Sequence, residues 1–184
     1  MNNDNYFIMC YNEQNDKKYR YIHIKGEKMK KLLSIIVLLL FLCGLQSYAD
    51  DSQEALNFFN NYVKAANSYS NEVGTMYSPS AKIIRQVVKP DGTTANAYTD
   101  TATYIKQMKI GQAGAKLRGY KNFYSNVTVE NLGNGAYKVS SLRQPTGETY
   151  KLKTYMIVKK INGKWQITEE MMQTKQQIFL KYAK

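Results

Sequence analysis

Between residues 52 and 73 the apolar positions recur three, four and seven apart. Leu56, Phe59, Val63, Ala66 and Val73 form the stripe, and Phe58, Tyr62 and Tyr69 widen it. That spacing puts them on one face of a long amphipathic helix, with Gly74 as its expected stop. Asp51-Ser52-Gln53-Glu54 ahead of it reads as a capping box, with acidic side chains at the positive end of the helix dipole. Tyr77-Ser78-Pro79-Ser80 breaks the pattern. Ala81 to Lys89, carrying Ile83, Ile84, Val87 and Val88, predicts a strand, and Pro90-Asp91-Gly92 turns it. Asp100 is the expected N-cap of a second helix bearing Tyr104, Ile105 and Met108, which Gly111 would end. Residues 112–116 fit neither pattern.

From Tyr120 onward the period is two. Val127 and Val129 alternate with Thr128 and Glu130, Gly133-Asn134-Gly135 supplies a hairpin turn, and Tyr137 and Val139 follow. After Pro145-Thr146-Gly147 comes a second alternation, Tyr150-Leu152-Thr154-Met156-Val158 against Lys151-Lys153-Tyr155-Ile157-Lys159. Asn162-Gly163 is a two-residue hairpin loop, because both positions tolerate positive φ. A regular ladder from that loop pairs Ile161 with Lys164, Val158 with Ile167, Met156 with Glu169 and Thr154 with Met171. Trp165, Ile167, Glu169 and Met171 then share one face. The tail from Gln173 is expected to be helical.

Helices followed by an antiparallel meander give an α+β class, with the helices on one face of the sheet. The long first helix, the Met76-Tyr77-Ser78-Pro79-Ser80-Ala81-Lys82-Ile83 entry to a strand, the helix after Asp100 and the closing Asn162-Gly163-Lys164-Trp165-Gln166-Ile167 hairpin together resemble the nuclear transport factor 2-like (SnoaL-like, cystatin-like) superfamily. The likeness runs over residues 52–173 and rests on the order of elements, not on signature residues. It implies helices packed on a curled four- to five-stranded antiparallel sheet, a cone-shaped pocket, and dimerisation through the sheet. Because the superfamily hosts isomerases, dehydratases, transport factors and secretion-system subunits, it implies no single activity.

Residues 29–49 change the setting. Lys30 and Lys31 precede an apolar run from Leu32 to Leu45, and Ser47-Tyr48-Ala49 closes it with small residues flanking a large one. This is the layout of a secretory signal peptide cut after Ala49, and the run is shorter than the roughly 20 residues a spanning helix needs. Leu42 before Cys43 departs from a lipoprotein signal. Codons for Gly26-Glu27-Lys28 are able to spell a ribosome-binding sequence, so Met29 is the expected start and residues 1–28 untranslated leader; the alternative is a short tail before an uncleaved anchor. The expected organisation is therefore 1–28 leader or tail, 29–49 signal peptide, and 50–184 one domain outside the bacterial cytoplasm, periplasmic or secreted.

The 184-residue chain holds 26 Lys and Arg against 14 Asp and Glu. Setting aside the seven and four within residues 1–49 leaves 19 against 10, a basic domain. His23, Cys10 and Cys43 all precede Ala49. The exported part would then lack imidazole and thiol, which excludes Ser-His-Asp and Cys-His nucleophilic sites and thiolate or imidazole metal sites. No phosphate-binding glycine motif is present, and neither a cofactor nor a metal is expected. The basic residues are spread along the domain, which argues against nucleic acid.

Within the predicted register Glu169 faces the apolar side among Met156, Ile167 and Met171, as a candidate general base or polar ligand anchor. Tyr62, Tyr104 and Tyr137 would add hydroxyls, and Met108 and Trp165 apolar lining, to that pocket. Tyr155 and Ile157, large groups on the otherwise polar opposite face, form the candidate partner surface. Three functions fit: a non-catalytic envelope binding or assembly domain holding a small apolar ligand or a protein partner; a SnoaL-like isomerase or hydrolase using Glu169; or, with the apolar run uncleaved, a membrane-anchored VirB8-like secretion-system subunit.

Overall fold

The computed structural model describes residues 7–9, 20–22 and 51–183. The proposed signal peptide, and most of the segment before it, lie outside the described residues. The chain divides into two units, Met1–Ala49 and Asp50–Lys184. In the first, strands β1 (Phe7–Met9) and β2 (Arg20–Ile22) pair antiparallel.

In the second unit, helix α1 is described over 51–67. Ala55, Phe59 and Tyr62 are its buried positions, with Phe58, Val63, Ala65 and Ala66 packed beside them. The helix stops before Gly74. Tyr69 adopts φ 60°, Ser70 N–H donates to Ala65 C=O at 2.9 Å, and Tyr69 N–H donates to Ala66 C=O at 3.2 Å. These bonds satisfy the last-turn carbonyls, so a left-handed tyrosine ends the helix where glycine is the usual residue. A short 3-10 helix, Asn71–Met76, follows. Glu54 accepts from Trp165 Nε1 at 2.8 Å and Lys160 Nζ at 2.6 Å, so its carboxylate serves a tertiary contact.

Strands β3 (Tyr77–Val88), β4 (Thr94–Thr99), β5 (Asn122–Gly133), β6 (Ala136–Pro145), β7 (Leu152–Ile161) and β8 (Lys164–Thr174) build one sheet in the order β4-β3-β8-β7-β6-β5. It has six strands and is mixed, because β3 runs parallel to β8. The expected four- to five-stranded antiparallel sheet is corrected on both points. Alternation along a strand reports which face is buried, and it is silent about which strand lies alongside. β4 escaped the pattern because Thr-Ala-Asn-Ala-Tyr-Thr is small and polar; it is an edge strand held by β3.

Helix α2 (Thr101–Leu117) begins at Asp100, whose Oδ1 accepts the Thr103 N–H at 2.8 Å as expected. It runs through Gly111, on which no tertiary contact closes, and ends where Gly119 takes φ 59°. There Tyr120 N–H donates to Ala115 C=O at 2.9 Å and Gly119 N–H to Lys116 C=O at 3.1 Å. The core lies between α1 and the inner face of the sheet, where Ile83, Tyr137, Val139, Met156, Val158 and Ile167 are buried. The tail makes a 3-10 helix, Gln177–Tyr182.

Candidate functional site

The site is set by an irregularity next to the Asn162-Gly163 turn. Asn162 and Gly163 have φ 51° and 75°, and Ile161 pairs with Lys164 and Val158 with Ile167, as the regular ladder predicts. The next pair is Ile157 with Glu169. Two residues of β8 are thus spanned by one step of β7, a β-bulge at Thr168, whose hydroxyl donates to the Ile157 carbonyl at 3.1 Å. Every later residue of β8 is displaced by one position against β7. Met156 faces Glu170, and Thr154 faces Met172.

The displacement exchanges two glutamates. Glu169 lies on the outer face, accepting from the Tyr155 hydroxyl at 2.5 Å and facing Lys82 at 3.5 Å. The assignment of Glu169 and Met171 to the pocket is therefore corrected: Met171 stands opposite Tyr155 on the outer side. Glu170 points inward and is completely buried.

Around Glu170 the fold gathers four side chains from three elements. Arg85 of β3 donates from Nη1 to Oε1 at 2.7 Å. From the start of β3, the Tyr77 hydroxyl donates to Oε2. The Tyr62 hydroxyl of α1 reaches the same oxygen at 3.4 Å and lies 3.2 Å from that of Tyr77. Tyr104 of α2 stands 3.5 Å from Oε1, with the Arg85 guanidinium 4.7 Å above its ring. A buried carboxylate survives only when paired and hydrogen-bonded, and this one is both. Burial, reinforced by the Glu170 charge, pushes the Tyr62 and Tyr77 hydroxyls well above the ordinary phenol range. Burial also raises Tyr104. For Arg85, burial works against the charge, but Tyr104 and Glu170 more than offset it and hold the guanidinium above its ordinary value.

Beside this cluster is a cavity of about 330 Å³, lined by the end of α1 and the turn after it, by α2, and by β5, β6 and β8. Tyr62, Tyr104 and Met108 line it, as the sequence predicts. Val73, Ile105, Tyr124 and Met172 add apolar surface. Glu170 is absent from the lining and sits behind Tyr62 and Tyr104. Of the remaining predicted residues, Tyr137 and Met156 are buried in the core, and Trp165 is half-buried against Tyr137 with ring centroids 5.7 Å apart. None of these three lines the cavity. Tyr155 and Ile157 are half-buried on the outer face.

With the geometry in hand, comparison with solved structures decides the fold. The chain superposes on a candidate scytalone dehydratase from Novosphingobium aromaticivorans DSM 12444 with a TM-score of 0.53 and 15% identity, covering 70% of this chain and 86% of that one. A second protein of that organism, described as NTF2-like with a cystatin-like fold, gives 0.52 and 12% over 72% and 86%. An NTF2-like protein of unknown function from Pseudomonas putida KT2440 gives 0.52 and 11% over 68% and 87%. This is the NTF2-like fold. No protein-family model matches the chain, and no curated protein does.

Two further residues of the site, Arg85 and Arg143, carry a usable signal in the sequence. Arg85 is two residues from both Ile83 and Val87, and Arg143 continues the Tyr137, Val139, Ser141 alternation, so period two alone directs both inward. Tyr77 stands in the Tyr77-Ser78-Pro79-Ser80 break and opens β3, outside any alternation that would direct it inward. Glu170 had no such signal, since the bulge that turns it inward depends on the pairing with β7.

Proposed function

We propose that residues 50–184 form an exported bacterial ligand-binding domain that holds a small molecule with an apolar body and does not transform it. The observation that carries this reading is an aromatic and aliphatic cavity whose neighbouring carboxylate is withdrawn behind two tyrosines into an ion pair. No Asp, Glu or His lies among the lining residues, so the cavity offers no carboxylate or imidazole to abstract a proton. Apolar enclosure with a few polar groups is the usual make-up of a small-molecule site. Export rests on the Lys30-Lys31, Leu32–Leu45 and Ser47-Tyr48-Ala49 pattern.

An isomerase or hydrolase is the rival reading, supported by the likeness to the candidate scytalone dehydratase. In this chain it would run through Tyr62 and Tyr104, whose raised hydroxyls are neutral donors able to polarise a carbonyl. It lacks a positioned base.

Native mass spectrometry of protein purified from its own envelope tests the proposal. The expected species begins at Asp50 and retains an organic molecule, which a Met108→Trp variant that fills the cavity loses. A chain that keeps its leader sinks the export claim; wild-type protein that is empty and binds no apolar probe sinks the binding claim.

A further inference from the structure

The charges around the cavity do not balance. Its charged lining residues are Lys109 and Arg143, both cationic. Lys109 is exposed on α2, whereas Arg143 of β6 is only 4% exposed. Arg143 has no carboxylate within ion-pair distance among the described residues; the ion pairs there involve Lys82, Arg85 and Lys160. Its acceptors are neutral. Nη1 donates to Asn122 Oδ1 at 2.8 Å and reaches the Tyr120 hydroxyl at 3.5 Å, and Nη2 donates to the Gln173 carbonyl at 2.8 Å. A guanidinium has five N–H donors. These contacts leave Nε, which has no partner, and one hydrogen of Nη2.

A buried cation without a counter-charge is unfavourable for the same reason that breaking a buried ion pair is: a desolvated charge is left uncompensated. The other arginine of the inner face, Arg85, meets that demand with Glu170. Nothing in the described fold does so for Arg143. Tyr69, another residue of the lining, likewise has a buried hydroxyl without a partner. Two unmet polar groups thus belong to residues lining one cavity.

We propose that the cavity binds a small organic carboxylate, its apolar body against Tyr62, Ile105 and Met108 and its anionic head turned to Arg143. This rests on the ligand-binding reading above and names the ligand's class. The planar guanidinium fork suits a carboxylate, which offers two oxygens to adjacent N–H groups. Nε is shielded from solvent, so a small rotation of the Arg143 side chain accompanies binding.

A matched pair of probes tests this without relying on any variant. Calorimetric titration of the full chain with 4-phenylbutyrate and with its neutral amide should show the carboxylate binding about tenfold tighter or more, the worth of a charge-assisted hydrogen bond. Arg143→Gln should erase that preference and leave amide binding in place, while Lys109→Gln should keep it, with circular dichroism confirming the fold of each. Equal binding of acid and amide by the wild-type chain overturns the carboxylate assignment and leaves the ligand-binding reading standing. Binding of neither probe removes both.

Discussion

Two adjacent glutamates on one strand have opposite fates, and a single hydrogen-bonding irregularity separates them. Glu170 is fully buried and shares its oxygens with Arg85 and the tyrosine hydroxyls. Glu169 meets Tyr155 and a half-exposed Lys82 on the outer face. Glu170→Gln removes one partner of a buried pair and strands the Arg85 charge, so it should lower stability by about 3–5 kcal/mol. Glu169→Gln touches a solvated pair and should stay within about 1 kcal/mol. Urea denaturation of both variants checks the register directly, since a regular ladder would reverse the order. Period-two reading put a glutamate on the inner face and named the wrong member of the pair. The local sequence carries no mark for the extra residue at Thr168, whose cost and benefit are both decided by β7.

At the scale of elements, the segments with strong local chemistry were legible and their ends were less so. The Asn162-Gly163 and Gly133-Asn134-Gly135 turns and the Asp100 cap act through conformations intrinsic to those residues, and each stands where the sequence puts it. Both expected glycine stops were misplaced. α1 ends at Tyr69, a residue whose left-handed conformation no propensity scale announces, and α2 continues through Gly111. A glycine inside a helix weakens it without ending it. Gly111 is exposed and a Cβ there meets nothing within 4 Å, so Gly111→Ala should stabilise the protein by about 0.5–1 kcal/mol. A rise in the thermal midpoint would show it; a fall would mean that the methyl group disturbs the cavity rim.

At the scale of the whole molecule, the buried tyrosines predict an alkaline limit to stability. Burial, then the Glu170 charge, raises Tyr62 and Tyr77 above the ordinary phenol value of 10.0. An unfolded chain would lose these protons near that pH while the fold keeps them. Stability is then intact below about pH 10 and falls as the pH rises beyond it, by about 1.4 kcal/mol per pH unit for each tyrosine. Unfolding free energies measured at stepped alkaline pH should show this slope, and Tyr77→Phe should reduce it. What the sequence determined by itself was the α+β class, the inner faces of β6 and β7, the turns and three of the cavity's lining residues, because periodicity and turn chemistry act over a few neighbouring positions. What only the tertiary structure decided was the parallel pairing of β3 with β8, the bulge, and the choice of Glu170 over Glu169. Those depend on contacts between segments some 85 residues apart, such as Arg85 with Glu170, where the lowest free energy belongs to the assembled sheet and to no strand taken singly.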